Sequence, residues 1–190
     1  LMRTAPVVLG YLDDPGGLAQ AARAISDLTH YDRDAGDACV LWSLAIRHAI
    51  ATGEFDIRVG LDWLPALARD RWNTLLDDAE HKTPQDFVHN GWVVEALQAA
   101  WSAITHTAVP PDDPSTGSYA AAHLQRALEA AVRGGHDTDT VAAIAGGLLG
   151  ARWGVSAVPL TWQRDLHGWP GLRYPDLLEL GQVPEADRRV

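Results

Sequence analysis

The stretch Arg133–Gly154, RGGHDTDTVAAIAGGLLGARWG, decides how the rest of the chain reads. Gly134-Gly135 predicts a tight turn. Asp137 and Asp139 alternate with Thr138 and Thr140, residue types whose side-chain oxygens accept the unpaired N–H groups of a first helical turn. The helix start therefore falls at Asp137–Thr140, and the helix itself over Val141–Trp153. Ala142, Gly146, Gly150 and Gly154 recur at every fourth position, so one stripe of this helix has almost no side chain. Each glycine costs about 1 kcal/mol of helix propensity. The stripe thus predicts a second backbone packed very close, and a central place for the helix.

Two readings of Asp137-Thr138-Asp139-Thr140 compete. One is a well-capped helix, with acids at the positive end of the dipole. The other is a hard-cation site, because Mg²⁺, Ca²⁺ and Mn²⁺ prefer carboxylate and hydroxyl oxygens. Spacing alone favours the cap. A lone D-x-D-T cannot fill an octahedral shell, so a metal would need further ligands from elsewhere.

Working outward, the chain has few strand signals and many alanines at helical spacing, which predicts an all-α fold: a compact multi-helix bundle with the Asp137 helix buried. Leu18, Ala21, Ala22, Ile25 and Leu28 keep one helical face, ending near Thr29-His30. The next helix is expected over Asp37–Ala51, stopped by Gly53. Val59 to Leu75 continues the pattern, with Pro65 opening its second piece. Trp63 and Trp72 read as core. Asn90-Gly91 opens a strongly apolar helix; it is either a simple N-cap or a source of free N–H groups that hold a phosphate. Val109–Ser118 is a proline-rich surface loop before a helix over Tyr119–Val132. Tyr174–Leu180 is a short helix and Glu185–Val190 a charged tail.

Composition excludes some partners. Fifteen basic against 25 acidic residues leave a net charge of −10 in 190 residues. Such a surface repels phosphate backbones, so nucleic acid is not expected as a partner. Val141–Ala151, the longest apolar stretch, is too short to span a bilayer, so no membrane partner is expected either. The single cysteine, Cys39, sits in an apolar run and reads as a small core residue. A reducing compartment and a cytoplasmic location are the corresponding expectation.

G-G-x-D-T-D-T-x-A-A-I-A-G-x-L-x-G-A-x-x-G, beginning at Gly134, resembles the C-terminal metal motif of the ADP-ribosylglycohydrolases. This family includes the dinitrogenase reductase-activating glycohydrolases and some eye-lens crystallins. Leu1–Leu12 is similar to its M-R-x-x-P stretch and Leu28–Ala35 to its T-H-x-D segment. Asn90–Ala100 is similar to its glycine-aromatic helix start, and Val158–Leu166 to its P-x-x-W tail. The family's G-D-A and T-D-D-T-type motifs have no complete copy in the right place, since Gly36-Asp37-Ala38 follows the T-H-x-D segment. Residues 1–190 are therefore expected to be the C-terminal part of a single ADP-ribosylglycohydrolase-like domain, with the N-terminal part supplied as a second chain or missing.

The resemblance implies a metal-dependent hydrolase that removes ADP-ribose from a modified protein side chain or a small ADP-ribose conjugate. It implies two divalent ions, Mg²⁺ or Mn²⁺, with Asp137, Asp139 and Thr140 as this chain's ligands. It places His30, Asn90, Gly91 and Gly135 on the substrate side. Without it, His30 reads as a polar residue at a helix end. The general base is expected from the N-terminal part. The alternative expectation is a non-catalytic ADP-ribose-binding or structural, crystallin-like member.

Overall fold

A computed structural model describes residues 1–182. Its helices are α1 (Pro15–Asp27), α2 (Arg33–Thr52), α3 (Ala66–His81), α4 (Val93–His106), α5 (Ala122–Arg133), α6 (Thr138–Trp153), α7 (Leu160–Asp165) and α8 (Tyr174–Gly181). Between α7 and α8, β1 (His167–Gly168) pairs antiparallel with β2 (Leu172–Arg173). The fold is all-α apart from this hairpin, whose two-residue strands are too short to show any periodicity in sequence. The charged segment Glu185–Val190 lies outside the described residues.

Helix starts follow side-chain oxygens. The Asp14 carboxylate accepts the Gly17 N–H at 2.8 Å and opens α1. The Asp32 carboxylate accepts the Ala35 N–H at 3.0 Å and opens α2, four residues before the expected start at Asp37. The cap decides that boundary: an aspartate in extended conformation satisfies the N–H three residues on, which Asp37, already helical, does not. Asp37 is consequently buried inside α2, where the Arg23 guanidinium of α1 meets it at 2.5 Å. Gly53, at φ 74°, ends α2 as expected.

Helix α2 runs through the centre and packs on α1, α4 and α6. Ala38 to Ile46 are buried without interruption. Trp42 is buried and donates its indole N–H to the Ile144 carbonyl of α6 at 3.0 Å. Burying a side chain of this size stabilises by about 3 kcal/mol, and the hydrogen bond fixes α6 in register against α2. Trp72 is fully buried, but Trp63 is 45% exposed and is not core. Cys39 is buried as expected. Among the described residues no helix is long and apolar enough to cross a membrane.

Helix α6 buries Val141, Ile144, Ala145, Leu148 and Leu149, but its small-residue stripe does not face a second backbone. A Cβ on Gly146 would meet only the end of Leu128, at 3.7 Å, and one on Gly150 would meet nothing within 4 Å. The close approach is at Gly147, where a Cβ would stand 3.0 Å from the Ala5 Cβ. Helix α6 turns one face to the core, and the repeat of small residues lies on its outer flank.

Candidate functional site

The loop from α5 into α6 reverses through two left-handed residues, Gly135 at φ 83° and His136 at φ 60°. Glycine adopts this conformation freely; a side-chain-bearing residue does so at a cost of about 1 kcal/mol. Asn90 holds the loop in place. It is 1% exposed; its Oδ1 accepts the Asp137 N–H at 2.9 Å and its Nδ2 donates to the Gly135 carbonyl at 3.0 Å. The expected N-cap role of Asn90 is thereby corrected. Helix α4 begins at Val93, preceded by Trp92, and the Asn90 amide braces the acidic loop with one donated and one accepted hydrogen bond.

That brace changes the meaning of Asp137. It occupies the N-cap position of α6, yet its carboxylate makes no capping hydrogen bond. The simple capping reading fails for this residue: at φ/ψ of −87° and 66° its side chain accepts no N–H of the first turn. Asp139 lies exposed on that turn. Neither carboxylate is in an ion pair among the described residues, and the Thr140 hydroxyl has only the Met2 sulfur as partner, at 3.6 Å. Unpaired acids at a helix N-terminus are favoured by the dipole, and their oxygens remain free.

Asp137 and Thr140 line one cleft of about 200 Å³, together with His30 and Gly91. Its apolar wall includes Met2, Val93 and Ile144. A Cβ at Gly91 would stand 3.6 Å from an Asp137 carboxylate oxygen, so the glycine keeps that approach open. Four of the expected residues thus meet at one place although their chain positions run from 30 to 140. Asp139, Asn90 and Gly135 do not line the cleft: Asn90 and Gly135 shape the loop behind it. Sequence reasoning did not single out Met2, Thr29 or Arg3. Thr29 Oγ lies 2.8 Å from His30 Nδ1 and accepts from Arg3 at 2.7 Å; only the T-H and M-R segments pointed to that neighbourhood.

A larger groove of about 440 Å³ runs along Leu128, Val132, Ala142, Gly146 and Trp162. Its lining is apolar apart from the Glu129–Arg133 ion pair at 2.9 Å, so it offers no group to carry chemistry. For a divalent ion, the Asp137, Asp139 and Thr140 donors have the right hard-oxygen character but fill only about half of an octahedral shell. Among the described residues, no three His, Cys, Asp or Glu converge on a common ion position.

Comparison with known proteins places the chain in a family. The family model described as ADP-ribosylglycohydrolase matches residues 1–188. The human ADP-ribosylhydrolase ARH3 is 27% identical over 195 residues, covering 88% of this chain and 53% of the relative. The bovine ADP-ribosylhydrolase ARH3 is 41% identical over 59 residues, 31% of this chain and 15% of that protein. The chain therefore spans about half the length of the human relative. With a match that runs through all the described residues, the chain belongs to the ADP-ribosylglycohydrolase family.

Proposed function

We propose that residues 1–190 carry one part of a single ADP-ribosylglycohydrolase-like domain, and that the cleft between His30 and Asp137 receives the ADP-ribosyl group. The reaction is hydrolysis of a glycosidic bond that joins ADP-ribose to a protein side chain or a small conjugate. The observation that carries this reading is the pair of unpaired acids at the start of α6, held beside the cleft by the buried Asn90 brace. The helix dipole favours both carboxylates while no ion pair consumes their oxygens, which suits a site that completes itself with a cation and ligand.

In this reading Asp137, Asp139 and Thr140 hold Mg²⁺ or Mn²⁺, two ions in the complete site, and the remaining oxygen ligands and the general base come from outside the described residues. The metal would polarise substrate oxygens and lower the pKa of a bound water. The chain's own residues do the positioning. Gly91 leaves room beside the Asp137 carboxylate, His30 meets ligand oxygens from the α1–α2 side, and the Met2–Val93–Ile144 wall excludes water from one side of the sugar.

The incomplete donor set also suits the second reading, a non-catalytic ADP-ribose-binding or structural member. Calorimetric titration of ADP-ribose into the chain, with and without Mn²⁺, separates the two. The hydrolase reading expects Mn²⁺ to tighten binding at least tenfold, and Asp139→Asn to abolish that gain in a folded protein. ADP-ribose binding that ignores Mn²⁺ would sink the metal assignment and leave the structural reading.

A further inference from the structure

Among the described residues His30 is the only imidazole that lines the cleft, and what it does there depends on which ring nitrogen carries the proton. Two residues with no assigned role decide this. Arg3 reaches from the N-terminal segment to the end of α1, where its Nη2 donates to the Ile25 carbonyl at 2.9 Å and to Thr29 Oγ at 2.7 Å. Ile25 lies in the last turn of α1, whose carbonyls lack helical partners and form the negative end of the dipole. The guanidinium is therefore anchored, not merely close. Thr29 Oγ then lies 2.8 Å from His30 Nδ1.

A hydroxyl has one proton and two lone pairs. A cationic donor into its oxygen polarises the group, making it a stronger donor and a weaker acceptor. The Thr29 proton has one acceptor in reach among the described residues, His30 Nδ1. The opposite tautomer would direct an Nδ1–H at an oxygen already loaded by Arg3.

We propose that Arg3 and Thr29 form a relay that locks the neutral His30 ring as its Nε2–H tautomer, so that His30 donates a hydrogen bond to a phosphate or hydroxyl oxygen of the ligand and does not act as a base. Arg3 and Thr29 are positioning residues in this scheme; His30 alone meets the ligand. The tautomer stands on the hydrogen bonds, while the identity of the ligand rests on the ADP-ribose reading above.

Long-range proton–nitrogen NMR of the ¹⁵N-labelled chain, at a pH where histidines are neutral, reads the tautomer directly; His30→Gln assigns the signal. The expected pattern is a single species with bare Nδ1 and protonated Nε2. Thr29→Val and Arg3→Gln, both at exposed positions, should release a mixture of tautomers, and Thr29→Ser should restore the single one. A mixture or an Nδ1–H form in the wild type overturns the relay, as does a Thr29→Val pattern as pure as the wild type's. Added ADP-ribose should move the His30 Nε2–H resonance, and Thr29→Val should weaken its binding about fivefold, the worth of part of one hydrogen bond. A locked His30 whose resonance ignores ADP-ribose would count against the ADP-ribose reading of the cleft and leave the relay standing.

Discussion

The two ends of α6 are built on opposite plans. At the C-terminal end, every ring nitrogen of the Trp153–His123 pair has a partner. Trp153 donates its indole N–H to His123 Nδ1 at 3.1 Å, while the His123 Nε2–H serves the Ile104 and Thr107 carbonyls at 3.1 and 3.0 Å. Because an indole only donates, His123 must be neutral with its proton on Nε2. Arg152 stacks over the Phe55 and Trp153 rings at 4.5 and 4.6 Å. At the N-terminal end, two carboxylates and a hydroxyl are left without a protein partner of comparable strength. One helix thus ends in a closed structural knot and begins in open ligand capacity. The difference teaches where to look for function: at the end where local satisfaction has been withheld while the backbone beneath it is firmly braced.

The contrast breaks most clearly in stability. Trp153→Ala removes the stacking surface and leaves His123 Nδ1 without its donor, and should cost about 2–3 kcal/mol in chemical denaturation. Asp137→Asn, at the other end, should change stability by no more than about 0.5 kcal/mol. Equal losses at the two ends would erase the distinction.

A second test separates the two flanks of the same helix. Gly147→Val forces side-chain atoms against Ala5 and should destabilise by about 2 kcal/mol. Gly150→Ala adds a Cβ into open space and should stabilise by up to about 1 kcal/mol through helix propensity. Thermal melts of the two variants check both signs; a destabilising Gly150→Ala would overturn the placement of the stripe on an open flank.

The smallest effect concerns pH. Burial pushes the His123 imidazole below its ordinary value, against the hydrogen bonds to Ile104 and Thr107 that favour charge, with the Arg152 cation adding to the lowering. A depressed folded-state value means that the unfolded chain binds the proton first as pH falls. The contribution of His123 is therefore complete above the ordinary histidine value, about 6.5, and is lost as pH falls below it toward the folded-state value. Denaturation midpoints followed from neutral to mildly acidic pH should decline, and His123→Asn should flatten that part of the decline.

Much of this was legible in the chain. Gly53 marks the end of α2 through its backbone freedom, which acts within a few residues. Helical spacing of alanine and leucine announced the all-α class, and the Gly134–Gly154 motif announced the start of α6 as the place of interest. Three things were not legible. Asp137 looked like a cap, because cap and open ligand share a residue type and differ only in whether the side chain accepts a first-turn N–H. Asn90 looked like the start of its own helix, because a brace to residues 45 and 47 positions later leaves no local trace. The Ala142–Gly150 stripe looked like a close-packing face, because periodicity shows that small residues share a face but not which neighbour lies opposite.

Sequence by itself determined the elements and the chemistry of the donors, since both depend on residue type and short spacing. Only the tertiary structure decided which donors stay free and which meet. It brought His30, Gly91, Asp137 and Thr140 to one cleft and set Arg3 on Thr29, and it assigned Asn90 to the loop. Those outcomes depend on how α1, α4 and α6 pack around α2, through contacts between residues far apart in the chain.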